Sequence, residues 1–177
     1  MFLDESGFLL IPTRSRTWGP RGETPLVRFN YRHDRISALA ALSVSVKRTH
    51  LGLYARFQQE NFKAVDVSRF LRTLLRHLRG HVILLLDSAK IHKGPEMARL
   101  TRRYPRLHIE WFPTYAPELN PVEFIWRDFK RRSANRVLRD KQDIRLNLHG
   151  NARRVRRSHD KLRSFVLAAD LPSAPWK

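Results

Sequence analysis

The chain has no cysteine. That excludes a disulfide scaffold, a Cys-based zinc site and a thiol nucleophile. No apolar run approaches the roughly 20 residues needed to span a bilayer, so no membrane partner is expected. No signal peptide is visible, because residues 1–4 lead directly into an acidic, Gly-containing segment. With no cysteine to oxidise, a cytoplasmic location is expected. The chain also shows no internal repeat and no low-complexity tract beyond an enrichment in arginine. Acidic residues are few: 16 Asp and Glu stand against 35 Lys and Arg, for a net charge of +19.

Hydrophobic residues make up 42% of the 177. That is enough for a real core and argues for one domain of ordinary size with a tail. A charge of +19 costs self-repulsion in a compact state. A polyanionic partner relieves it, and nucleic acid is the commonest.

The pattern along the chain points to an α/β fold. Residues 1–11 read as an extended segment and 12–25 as a basic loop with turn signals at Gly19, Pro20, Gly22 and Pro25. A short strand is predicted at 27–31, a strand buried on both faces at 36–46, and an alternating partner at 49–57. The period then changes. Val67, Phe70, Leu71, Leu74, Leu75 and Leu78 share one helical face. Asp66 is the expected N-cap of that helix and Gly80 its stop. Core strands follow at 82–86 and 107–112, with a helix opened by Gly94-Pro95 between them. A last helix begins at Asn120-Pro121 and runs toward Leu138. Antiparallel strands followed by βαβ-like units imply a mixed sheet with helices on its faces. The expected division is a catalytic domain at 1–140 and a basic C-terminal extension with one short helix at 141–177.

Three acids occupy informative places in that scheme. Asp4 lies on the first strand, Asp87 ends a central strand, and Glu123 sits in the first turn of the helix after the last strand. Strand ends beside helix starts are where open α/β sheets put their sites. Carboxylates are the hard oxygen ligands that Mg²⁺ takes, and two divalent ions can activate an attacking oxygen and stabilise a leaving one. Each acid also has a plainer reading. Asp4 and Asp87 suit turns. Asn120 and Glu123 have the spacing of a capping box, which would occupy the Glu123 carboxylate. Glu5 alternates to the opposite face from Asp4, Glu118 is placed in a loop near the site, and Glu110 lies within a core strand. The acids after 127 read as surface or cap residues. His92 and Lys90, beside Asp87, and the basic tracts at 102–106, 130–139 and 153–157, with Lys130 and Arg131, are candidate contacts to phosphate or solvated faces. Trp18 and Trp126 read as packing residues.

Three blocks resemble the DDE transposases of bacterial insertion sequences, in the branch related to mariner elements. They are Leu3-Asp4-Glu5-Ser6-Gly7-Phe8 continued by Arg16-Thr17-Trp18-Gly19-Pro20-Arg21-Gly22-Glu23-Thr24-Pro25, then Leu86-Asp87-Ser88-Ala89-Lys90-Ile91-His92, and Pro113-Thr114-Tyr115-Ala116-Pro117-Glu118-Leu119-Asn120-Pro121-Val122-Glu123 through Trp126. The resemblance spans roughly residues 1–140. It implies a ribonuclease H-like fold and DNA cleavage and strand transfer dependent on Mg²⁺ or Mn²⁺, with two ions. Asp4, Asp87 and Glu123 match the family's catalytic, metal-binding acids. Expected partners are element-end and target DNA, and further copies of the chain in a dimer or higher assembly. The chain departs from the family at Ser88, where Asn is usual, and in starting three residues before the first acid. Family members carry helix-turn-helix modules upstream, so a separately encoded partner of that kind is a further expectation. The other readings are an inactive DNA-binding remnant and a ribonuclease H-like nuclease without strand transfer.

Overall fold

Alternating apolar side chains build the sheet. The structure, a computed structural model, describes residues 1–11, 15–23, 26 and 34–171. The strand expected at 27–31 lies outside the described residues. Strand β1 (Phe2–Leu9) gives Phe2 and Phe8 to one core cluster and Leu3 to another on the opposite face. Strand β2 (Arg35–Val44) does the same with Ile36, Ala38, Ala40 and Leu42 on one side and Leu39 and Ala41 on the other. It is buried on both faces, as its sequence predicts. Strand β3 (Leu51–Gln58) contributes Leu53 and Phe57.

Strands β4 (Val82–Leu86) and β5 (Leu107–Trp111) complete a five-stranded sheet of order β3-β2-β1-β4-β5. The pairs β1/β2 and β2/β3 are antiparallel, whereas β1/β4 and β4/β5 are parallel. The expected mixed sheet is therefore the observed one. Parallel neighbours need a crossover connection, and helices supply it. Arg156 donates from Nε to the Leu53 carbonyl at 2.9 Å, covering part of the β3 edge.

Helices α1 (Ala64–His77) and α2 (Pro95–Arg103) bury Val67, Phe70, Leu71, Leu74, Met97 and Leu100 against the Leu3 and Leu84 face. The first of them starts a turn earlier than expected. Asp66 caps it from within, accepting the Lys63 N–H at 3.1 Å, rather than standing before it. On the other face lies α3 (Pro121–Ser133), with Val122, Ile125, Trp126 and Phe129 inward. It stops five residues short of Leu138. Asn135 adopts φ +58°, and the Ser133 hydroxyl binds back to the Phe129 carbonyl at 2.9 Å.

The C-terminal segment differs most from expectation. It forms two helices, α4 (Lys141–Arg156) and α5 (His159–Ala168), not one. Ile144, Leu148, Ala152, Val155, Leu162 and Phe165 join the same core as Trp126 and Phe129. The many arginines of α4 hide an apolar face that is narrow in sequence but well buried.

One carboxylate ties this layer together. Asp128, expected at the surface, is 4% exposed. It meets Arg131 and Arg132 of its own helix, Arg154 of α4 at 2.6 Å and Lys161 of α5 at 3.2 Å. Burial pushes its pKa up, but the hydrogen bonds and charges of Arg154 and Lys161 outweigh this and hold it below the usual carboxylate range. Removing one partner of a buried pair leaves the others uncompensated. Asp128→Ala should therefore cost about 3 kcal/mol in a urea melt. Arg131→Ala, at an exposed guanidinium, should cost under about 1 kcal/mol. Equal small losses from both would show that the carboxylate is not a keystone.

Candidate active site

The site lies where β1, the C-terminal end of β4 and the start of α3 meet. Asp4 occupies the middle of the sheet and is 8% exposed. Its side chain faces α3, where the Trp126 indole N–H donates to Oδ2 at 3.0 Å. Trp126 is thus a packing residue, as expected, and also a hydrogen-bond donor, which its sequence context did not reveal.

Asn120 sets the depth of α3. Its side-chain amide donates to the Leu3 carbonyl at 3.0 Å, and its Oδ1 accepts the Val122 N–H at 3.1 Å. The capping box anticipated between Asn120 and Glu123 does not form, because the Asn120 backbone N–H goes to the Pro117 carbonyl at 3.1 Å. Among the described residues no group hydrogen-bonds the Glu123 carboxylate, and it is left to act on Asp4.

That action is visible in the electrostatics. Burial first, and then the charges of Glu123, Glu5 and Asp87, together raise the Asp4 pKa from 3.8 to about 8. Glu123 and Asp87 therefore each lie within electrostatic reach of Asp4. Glu5 joins them, although strand alternation puts it on the other face of β1.

Glu5 and Asp87 are linked through His92. This imidazole is 1% exposed. Its Nε2 is 3.0 Å from Glu5 Oε1, and its Nδ1 is 2.7 Å from Asp87 Oδ1 and 3.1 Å from the Asp87 carbonyl. With acceptors at both nitrogens, the doubly protonated ring satisfies every partner. Burial alone would lower its pKa, but Glu5 and Asp87 override that and raise it to about 9. The expected contact of His92 with phosphate is corrected accordingly: the ring is an internal clamp, enclosed and fully engaged. Glu5 escaped sequence reasoning because its partner lies 87 positions away.

Asp87 is the most open of the acids, its side chain 56% exposed. Oδ1 also accepts the Ala89 N–H at 3.1 Å, so the turn reading of this residue is realised together with its place at the site. Lys90, in a single 3-10 turn at Lys90–His92, is exposed beside it. Lys130 and Arg131 are exposed at the far end of α3, Lys130 Nζ lying 5.8 Å from the Phe8 ring centre. Glu110 and Glu118 are exposed outside this constellation.

The donor set is all carboxylate oxygen, the chemistry of a Mg²⁺ or Mn²⁺ site. The raised pKa of Asp4 reflects its burial first and then the repulsion of Glu123, Glu5 and Asp87, which a cation would relieve. In the arrangement observed, no group of three or more His, Asp or Glu among the described residues is gathered tightly enough to hold a metal ion. Asp87 is turned toward His92 and Ala89. The charge and the oxygen donors suit a cation, whereas the spacing observed does not bring three of them together.

A profile of the DDE superfamily endonuclease family matches residues 1–145. A protein of Sinorhizobium fredii (strain NBRC 101917 / NGR234), the uncharacterized protein y4pE/y4sA, is 35% identical over 68 residues, or 37% of this chain and 46% of that one. Among solved structures, the Mos1 transposase paired-end complex with left transposon end aligns at a TM-score of 0.63 and 15% identity. It covers 96% of this chain and 55% of that one. The Mos1 mariner paired end complex with Mn aligns at 0.62 and 15% identity, covering 97% and 56%. The catalytic domain of Mos1 mariner transposase aligns at 0.56 and 11% identity, covering 95% and 81%. At such identities the likeness establishes the fold. The chain spans about half the length of the Sinorhizobium protein and of the longer Mos1 chains.

The pKa shifts predict how stability depends on pH. Folded Asp4 keeps a proton that the unfolded chain releases above pH 3.8, so its contribution is full below that and lost as pH rises through about 8. His92 has the same sign: its contribution is full below about 6.5 and lost through about 9. The melting temperature should therefore fall between pH 4 and 9. Asp4→Asn should flatten the decline below pH 6.5 and leave the later one. Parallel curves for both proteins would contradict the assignment to Asp4.

Proposed function

Because the chain belongs to the DDE superfamily endonuclease family, we propose that it is the catalytic domain of a transposase that cuts DNA strands and joins them to a target. The observation that supports this reading is the electrostatic pressure that Glu123 and Asp87 exert on the buried Asp4. Such repulsion is costly in a structural role and useful where a cation and a phosphodiester must be held together.

Asp4, Asp87 and Glu123 are the residues that would hold Mg²⁺ or Mn²⁺. When bound, one or two such ions would supply an activated attacking oxygen and stabilisation of the leaving one. The protein's own part is positional. Trp126 holds the Asp4 carboxylate by Oδ2 and so fixes its orientation. Asn120 seats the first turn of α3 on the Leu3 carbonyl, so that Glu123 approaches from the α3 side. His92 anchors Asp87 by Oδ1. Lys90, Lys130 and Arg131 are the proposed contacts to the DNA backbone, within the +19 field that draws a polyanion in. The solved Mos1 complexes contain transposon-end DNA, and by analogy the ligand here is element-end and target DNA. Binding as a dimer or larger assembly, and with a helix-turn-helix partner, belongs to the same proposal.

A supercoiled plasmid incubated with the protein and Mn²⁺ should be nicked, and a 3′-OH donor oligonucleotide should become joined to it. Asp4→Asn, Asp87→Asn and Glu123→Gln should each lower the rate by about 100-fold or more, since each removes part of one charge-stabilising unit. Nicked product without joining would favour a nuclease of the same fold. Salt-sensitive binding with cutting in none of the proteins would favour an inactive remnant. Cutting that survives all three substitutions would overturn the site.

A further inference from the structure

The loop between β5 and α3 presents an aromatic ring that nothing in the fold uses. Tyr115 is 96% exposed, and its backbone holds φ +60°, a conformation that costs an L-residue with a Cβ. A solvent-facing position with left-handed backbone ordinarily takes Gly or Asn. Here it carries a large ring with no packing role to offset that cost. Four residues before it, Trp111 ends β5, 42% exposed, with the Lys93 ammonium 5.3 Å from its ring centre. Trp111 pairs in register with Leu86, the residue before Asp87. The loop that carries Tyr115 then runs to Asn120 and the first turn of α3, where Glu123 sits. Both rings therefore belong to the edge of the sheet that carries the acids. Four residues of chain reach at most about 14 Å, so Tyr115 stays within a few nucleotides of Asp87.

We propose that Tyr115, on the loop that follows Trp111 and its neighbour Lys93, forms a stacking subsite for an unpaired nucleobase near the reacting phosphate. This rests on the reading of the site as one that acts on DNA, and it names a feature of that substrate: a strand locally out of its duplex. Bases inside a duplex have no free face for an exposed ring, whereas unpaired bases stack on aromatics with little regard to sequence. The cation held over Trp111 adds charge attraction to the same strand.

The test compares binding to a fluorescein-labelled 12-nucleotide single strand and to the corresponding duplex, by anisotropy at fixed salt and without metal. Tyr115→Ala should weaken single-strand binding roughly tenfold and change duplex binding less than about twofold. Tyr115→Phe should retain wild-type binding. Tyr115→Gly, suited to the positive φ, should melt no lower than wild type and still lose single-strand affinity, which separates the ring's role from the fold's. Unchanged single-strand binding in Tyr115→Ala and Tyr115→Gly, or an equal loss on both DNAs, would overturn the subsite and leave the wider reading standing. If the wild-type protein bound neither DNA, both would fall.

Discussion

A carboxylate buried in the middle of a sheet, with other carboxylates around it, is the constraint on which this fold turns. Asp4 would be easier to bury as a leucine. Keeping it requires an indole donor from α3, and keeping that donor in place requires the helix to be locked to β1 at the Leu3 carbonyl. The geometry of the sheet and of α3 is thus subordinate to one ionisable group. What results is a carboxylate that keeps its proton to about pH 8, with no protein cation paired to it among the described residues.

The same logic explains the opposite treatment of Asp87 and Glu5. They share a buried imidazole with partners at both nitrogens. One cation therefore serves two acids on one flank of Asp4, and no corresponding cation serves Asp4 itself among the described residues. The arrangement is asymmetric: Glu5 and Asp87 share a cation of the protein, and Asp4 and Glu123 have none among the described residues.

Much of this was legible in the chain. A run apolar on both faces pointed to β2, a short apolar run to β4, the helical period of Val67 to Leu78 to α1, and the order of elements to the mixed sheet. Asp4, Asp87 and Glu123 stood out because acids are rare in this composition. Long-range pairing was not legible. His92 could be seen as a loop histidine, but its burial depends on Glu5 across 87 positions. Asp128 looked like one more charge on a charged helix, and only the packing of α4 and α5 makes it a hub. Glu123 and Asn120 had the spacing of a capping box, and competition from the Pro117 carbonyl decided against it. Local patterns name elements. Which polar groups meet is decided by tertiary contacts that leave no periodic trace.

Arg156, drawn across the backbone of β3, has a consequence for crowding. A basic protein that gathers on a polyanion raises its own local concentration, and open strand edges in such a crowd tend to zip together into aggregates. The guanidinium occupies the Leu53 carbonyl and sets a positive charge along that edge. That stretch of the β3 edge is thereby less open to pairing with another strand.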